Sequence, residues 1–237
     1  ERLSGIASFI GLNILLLFFI ITFNYEQFVE LPKATANQLA EETHERVGAV
    51  IGSIVMAIVV IMFYFKGSFN FDKKAKFLKI LAQIWVFLNA ILVISAMLKN
   101  TEYVYYLGLT YKRLGVYAFL SLAIIGLIFT FIKVSKQKTN AFLFNQMFWY
   151  VYGTILVCSF INWGGIITSH NLKREDFAAN YHFNSVDFND KQLLEYYQKT
   201  NNKEMYKILK DKIIARQNES FLSKVLYDES ISFNESK

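Results

Sequence analysis

The chain has 237 residues, 54% of them apolar and 17% aromatic, with 11 glycines, a single proline and a formal net charge of +6. So large an apolar share with so little proline and glycine excludes a disordered chain, a collagen-like repeat and a turn-rich β sandwich. One cysteine excludes a disulfide framework, and three histidines leave little for a dedicated metal or haem centre, so neither metal nor cofactor is expected.

Crossing about 30 Å of hydrocarbon takes roughly 20 helical residues. Five apolar windows of that order occur along the chain. The first four, residues 5–23, 47–65, 80–98 and 114–132, contain no Asp, Glu, Lys or Arg, and the fifth lies at 142–163 inside an uncharged stretch. One soluble domain has no core able to enclose so many fully apolar helices. The expected fold is therefore all-α, a polytopic transmembrane helical bundle over residues 1–168 with a small, polar, helical C-terminal tail over 169–237. The first window has no small-residue cleavage site behind it, so it reads as a retained span; further spans upstream of Glu1 stay open.

Between the first two spans, Thr35 to Arg46 is a helix-prone run without Gly or Pro, expected to extend span two. On it Glu41 and His44 share a face. A Glu with His at i+3 is half of a di-iron ligand set, but no second pair occurs, and a surface hydrogen-bonded pair at the membrane edge is the simpler reading. Span two itself carries Gly48 and Gly52 four apart, beside Ala49, Ser53 and Ala57. Such a stripe lets a second helix approach closely, within the chain or against a partner.

The spans hold no ionisable side chain, and the one proline, Pro32, lies in a loop, so the hallmarks of pumps and proton-coupled carriers are absent. Asn13, Asn89 and Asn162 are read first as interhelical hydrogen-bonding residues and second as a polar lining for a small conduit. Between spans two and three, Lys73, Lys74 and Lys76 interleave with Phe69, Phe71 and Phe77, a pattern suited to anionic headgroups. Lys and Arg beside the spans number nine on the side of the N-terminus and seven on the other, which places the N-terminus in the cytoplasm and the tail outside. The positive charge belongs to these loops, since the tail has equal numbers of acidic and basic residues; no nucleic-acid partner is expected.

The segment from Asn100 to Arg113, read as a loop, holds Tyr103, Tyr105, Tyr106 and Tyr111, more tyrosine than an aromatic belt needs. Within it, Gly108, Leu109 and Thr110, with Arg113 three residues on, resemble the signature of the bacterial polytopic membrane-protein family catalogued as domain of unknown function 4173. Glu41, His44 and Gly48, the stretch Gly67 to Lys74, and Asn162 and Trp163 followed by Ile166, Ile167, Thr168 and Asn171 fit the same resemblance, which covers most of residues 35–190. It implies a topology and a bacterial inner-membrane address, and it implies no chemistry.

In the tail, Asp187 to Asp190 offers cap residues before Leu193, Leu194 and Tyr197; Met205, Ile208, Leu209 and Ile213 recur at helical spacing, as do Phe221, Leu222, Val225 and Leu226. So few apolar side chains make a weak independent core, and the tail is expected to rest on the membrane, the outer loops or a partner.

No catalytic set is recognisable. The expected function is a scaffold or accessory subunit of a membrane complex, with the lipid bilayer and a protein partner or a second copy as its neighbours. Its outer-face interaction surface would be Glu41, His44, Tyr106, Gly108, Thr110 and Arg113. The alternatives are a transporter or channel for a small uncharged or lipidic solute, and a membrane-interface enzyme using Glu41, His44 and Arg113.

Overall fold

A computed structural model describes residues 2–28, 36–65, 67–219 and 224–233. Among these there is no strand. Five helices are long and apolar enough to cross a membrane: α1 (Arg2–Phe28), α2 (Ala36–Tyr64), α4 (Lys76–Leu107), α5 (Tyr111–Ser135) and α6 (Asn140–Ser159). The chain is thus an all-α, multi-pass membrane protein. Between α2 and α4 lie the short α3 (Ser68–Phe71) and a 3-10 turn, Lys73–Ala75, the latter capped by Asp72, whose carboxylate accepts the Lys74 amide at 2.8 Å.

The chain divides into two compact units. The first comprises residues 1–107 and 112–159, the second residues 108–111 and 160–237. The expected division at 168/169 therefore falls inside the second unit, and the fifth apolar helix stops at Ser159.

In the first unit α4 packs against both α1 and α2. Phe9 of α1 is fully buried at that junction, with its ring 5.4 Å from Tyr64, 6.1 Å from Phe65 and 5.3 Å from Trp85. Gly5 lets the three helices meet there, because a Cβ at that position would lie 3.2 Å from the Tyr64 ring and 3.3 Å from Leu78. Polar side chains tie the same helices together. The Asn13 amide donates to the Leu81 carbonyl at 3.0 Å, and Ser53 donates to the Asn89 side-chain oxygen at 3.3 Å.

The helices run past the apolar windows at several ends, and two lysines that read as loop charges are buried by them. Lys133, on the last turns of α5, donates its ammonium to the Phe65 carbonyl at 3.2 Å, while Asn140 donates to the Met62 carbonyl at 3.3 Å. The Met62 carbonyl is one of the last of α2, which have no partner within their own helix; Phe65 directly follows that helix, and a cation there also meets the negative end of the helix dipole. Lys99, on the extension of α4, pairs with Glu102 at 3.0 Å.

In the second unit α7 (Trp163–Asn171), α8 (Ala179–Ser185), α9 (Asp190–Lys199), α10 (Lys203–Gln217) and α11 (Leu226–Glu229) enclose a small core of Leu193, Leu194, Tyr197, Leu209, Ile213 and Ile231. The tail thus has a core of its own, which its sparse apolar pattern did not lead one to expect. Arg216 fastens the unit by pairing with Asp190 at 2.6 Å and Asp228 at 2.9 Å. Phe221 and Leu222 lie outside the described residues.

Replacing Phe9 tests the first unit. In a bilayer the unfolded helices remain in lipid, so little transfer energy is lost and the cost comes from the cavity and the missing ring contacts. Phe9→Ala is expected to destabilise the bundle by about 2 kcal/mol, read as a lowered midpoint in denaturant unfolding in detergent.

Candidate functional site

The turn from α4 to α5 is held by both its backbone conformation and its side-chain contacts. No Gly or Pro occurs between residues 68 and 107, so α4 continues through Tyr103, Tyr105 and Tyr106 and stops at Gly108. The expected tyrosine-rich loop is therefore mostly helix, and only 108–110 is not. Gly108 has φ +79, the left-handed conformation that ends many helices and that glycine adopts without steric cost. A Cβ there would also fall 2.9 Å from the Asn171 side-chain oxygen.

Asn171, the last residue of α7, grips the backbone of Leu109 from both sides. Its oxygen accepts the Leu109 amide at 2.7 Å, and its NH2 donates to the Leu109 carbonyl at 2.9 Å. This two-point contact fixes which way the amide faces. Its second N–H then points at His182 Nε2, 3.2 Å away, so that nitrogen must accept and the ring proton resides on Nδ1, which donates to the Thr168 hydroxyl at 2.9 Å. Asn189 completes the cluster by donating to Thr168 Oγ1 and to the His182 carbonyl, both at 2.9 Å.

All four side chains are buried, and the Phe177 ring lies 4.7 Å from the imidazole. Burial pushes the His182 pKa below the usual histidine range. A proton on Nε2 would also face the Asn171 N–H donor to donor. The neutral ring is thus part of a closed structural network, with both nitrogens engaged.

Local packing around α7 has the same economy. Asn162 caps the helix, accepting the Gly165 amide at 2.9 Å and donating to the Phe188 carbonyl at 2.8 Å. Gly164 lies directly against the Asp187 carbonyl, where any Cβ would overlap it.

The residues singled out in the sequence separate. Gly108 and Thr110 belong to the second unit; Tyr106 and Arg113 belong to the first. Arg113 donates to the Leu107 carbonyl at 2.8 Å and lies 3.9 Å over the Tyr103 ring, so it closes the end of α4. Tyr106 is half exposed, with its ring 5.2 Å from Tyr105. Asn13 and Asn89 join helices, as described, and Asn162 caps α7. A Cβ at Gly48 or Gly52 would meet nothing within 4 Å; the neighbouring Ala57 is fully buried. Glu41 and His44 lie on α2, but their side chains fall outside the described residues. Among the described residues no three His, Cys, Asp or Glu side chains converge as metal ligands would.

Sequence reasoning missed His182 and Asn189. The available signal was Thr168 and Asn171, three apart and hence on one face of a helix, two polar groups that needed buried partners.

Residues 1–193 match the family described as domain of unknown function DUF4153, and the chain belongs to that family. This corrects the resemblance drawn from the turn motif, which pointed to domain of unknown function 4173. The match extends beyond the last apolar helix through α7 and α8 into α9, so it includes the whole Asn171 cluster. No curated protein and no solved structure matches the chain.

Two outcomes test the cluster. Asn171→Leu leaves the Leu109 amide and carbonyl without their partners, at about 1–3 kcal/mol each, and is expected to lower the melting temperature of the second unit and expose it to limited proteolysis. In the unfolded chain His182 takes up a proton in its ordinary range near about pH 6.5, whereas the folded ring does so only at lower pH. The stability that His182 contributes is thus complete above that range and is lost as pH falls through the folded value. Melting curves between about pH 7 and pH 5 should show this loss, and His182→Gln should flatten it.

Proposed function

We propose that the chain is a membrane-embedded subunit or scaffold whose α6 packs laterally against the transmembrane helices of a partner or of a second copy. The observation that carries this is an inversion. Among the five apolar helices α6 has the span of lowest mean hydropathy, since it carries Asn, Gln, Trp and Tyr, and it is also the least buried, with 6% of that span enclosed. A helix that faces lipid on nearly every side should be the most apolar of a bundle, because acyl chains satisfy no polar group.

The exposed face carries the wrong chemistry for lipid alone. Asn145 is exposed and makes no hydrogen bond among the described residues. Phe148, Trp149 and Tyr152 are exposed and form a cluster, with centroids 5.7 Å apart for Phe148 and Trp149 and 6.2 Å for Trp149 and Tyr152. Trp and Tyr in a membrane belt sit at helix ends, near headgroups, but these rings occupy the middle of the Asn140–Ser159 helix. Large rigid rings in a group are what protein interfaces use as anchors.

This reading is favoured over a conduit because Asn13 and Asn89 are engaged between helices. The proposal includes an orientation, with the N-terminus cytoplasmic and the tail outside, which rests on the distribution of Lys and Arg beside the spans. Extraction in a mild detergent followed by mass measurement is expected to give a defined homo-oligomer or a stoichiometric complex, and Asn145→Leu together with Trp149→Ala should shift it toward monomer. A clean wild-type monomer would overturn the proposal.

A further inference from the structure

One end of the first unit gathers cations that the protein leaves unpaired, on residues other than those of the α6 surface. Contacts define this end. Tyr64, the last residue of α2, donates its hydroxyl to Ser8 near the start of α1 at 3.1 Å, and Gly5 lies against Leu78 near the start of α4. The end of α5 joins them, since Lys133 reaches the Phe65 carbonyl. Asn70 then ties two turns together by donating to the Lys138 carbonyl at 2.7 Å, across 68 residues of sequence. The basic turn before α4 and the basic turn between α5 and α6 therefore form one surface, which neither turn shows alone.

Lys74, Lys76, Lys136 and Lys138 are exposed on it, and none has an ion-pair partner among the described residues. Residues 66–79 and 133–139 hold a single carboxylate, Asp72, and one of its oxygens already accepts the Lys74 amide. The other end of α4 treats its cations differently. There Lys99 is paired with Glu102, while Arg113 caps the Leu107 carbonyl and covers the Tyr103 ring.

Two aromatic rings decide what kind of anion this surface fits. Phe71 and Phe77 flank the lysines and are each 54% exposed. A phosphate free in water would pair with the lysines and leave these rings wet. A phospholipid at the bilayer edge answers both, because its phosphate sits directly above its acyl chains, and lysine stems can lie along apolar surface while their ammonium groups reach the phosphate level. A zwitterionic headgroup would bring a second cation toward four ammonium groups, so net negative charge is favoured.

We propose that the joined turns bind anionic phospholipid, with Lys74, Lys76, Lys136 and Lys138 meeting the headgroup and Phe71 and Phe77 lying among the upper parts of the acyl chains.

The full chain in mild detergent would be mixed with equal amounts of phosphatidylglycerol and phosphatidylcholine, and the bound lipid identified and titrated by native mass spectrometry. Discrete adducts of phosphatidylglycerol are expected in preference to phosphatidylcholine. Lys74→Gln combined with Lys138→Gln should weaken phosphatidylglycerol binding by about thirtyfold, the scale of two lysines at a membrane surface. Lys112→Gln combined with Lys199→Gln removes the same charge from exposed positions elsewhere and should leave binding at the wild-type level. Equal retention of the two lipids overturns the proposal, as does phosphatidylglycerol binding that the Lys74 and Lys138 variant leaves unchanged or that both double variants weaken alike.

Discussion

Every helix end leaves backbone groups without partners, and close to a bilayer water does not reliably supply them. That constraint organises the chain. The carbonyls at and just past the end of α2 are met by Asn140 and Lys133. The end of α4 is met by Arg113 and turned by Gly108, and the next backbone groups are met by Asn171. The start of α7 is met by Asn162. At these joints each polar side chain does what water does at the end of a soluble helix.

Seen this way, the Asn171 cluster is the most demanding joint. Asn171 must present oxygen to an amide and nitrogen to a carbonyl, so its orientation is dictated by Leu109, and that orientation in turn dictates the tautomer of His182. A chain of donors and acceptors this closed gives the imidazole no spare nitrogen for proton transfer. A histidine with a depressed pKa in a polar cluster often marks a catalytic site, but the geometry here assigns it to holding a turn.

The membrane-spanning helices were legible because their composition alone requires burial in lipid, whatever their neighbours. Their ends were not. Asn100 to Leu107 looks like a loop, since Thr, Glu and Tyr suit solvent, yet nothing in it stops a helix before Gly108. Lys99 and Lys133 read as charges that set topology, and their partners emerge only when Glu102 and the end of α2 come into place. Gly108, Thr110 and Arg113 were visible as a motif, although the structure puts them in different units. His182 and Asn189 were invisible because the group they support, Leu109, lies far away in the sequence; pattern within one helix cannot show that a donor will meet a carbonyl 62 residues distant.

The same rule bears on α6. Elsewhere in the bundle, polar side chains such as Asn13, Asn89 and Lys133 bond within the chain, and the faces left bare are mostly aliphatic or Phe, which lipid covers at no polar cost. On α6 the pattern reverses: Asn145 and Tyr152 are bare, and a Trp sits where neither headgroup nor carbonyl is at hand. If lipid were the only neighbour, the chain would tolerate in one helix the cost it avoids in the others. A second protein surface removes the inconsistency, because interhelical hydrogen bonds and ring packing are the two contacts that such residues make well and acyl chains make poorly.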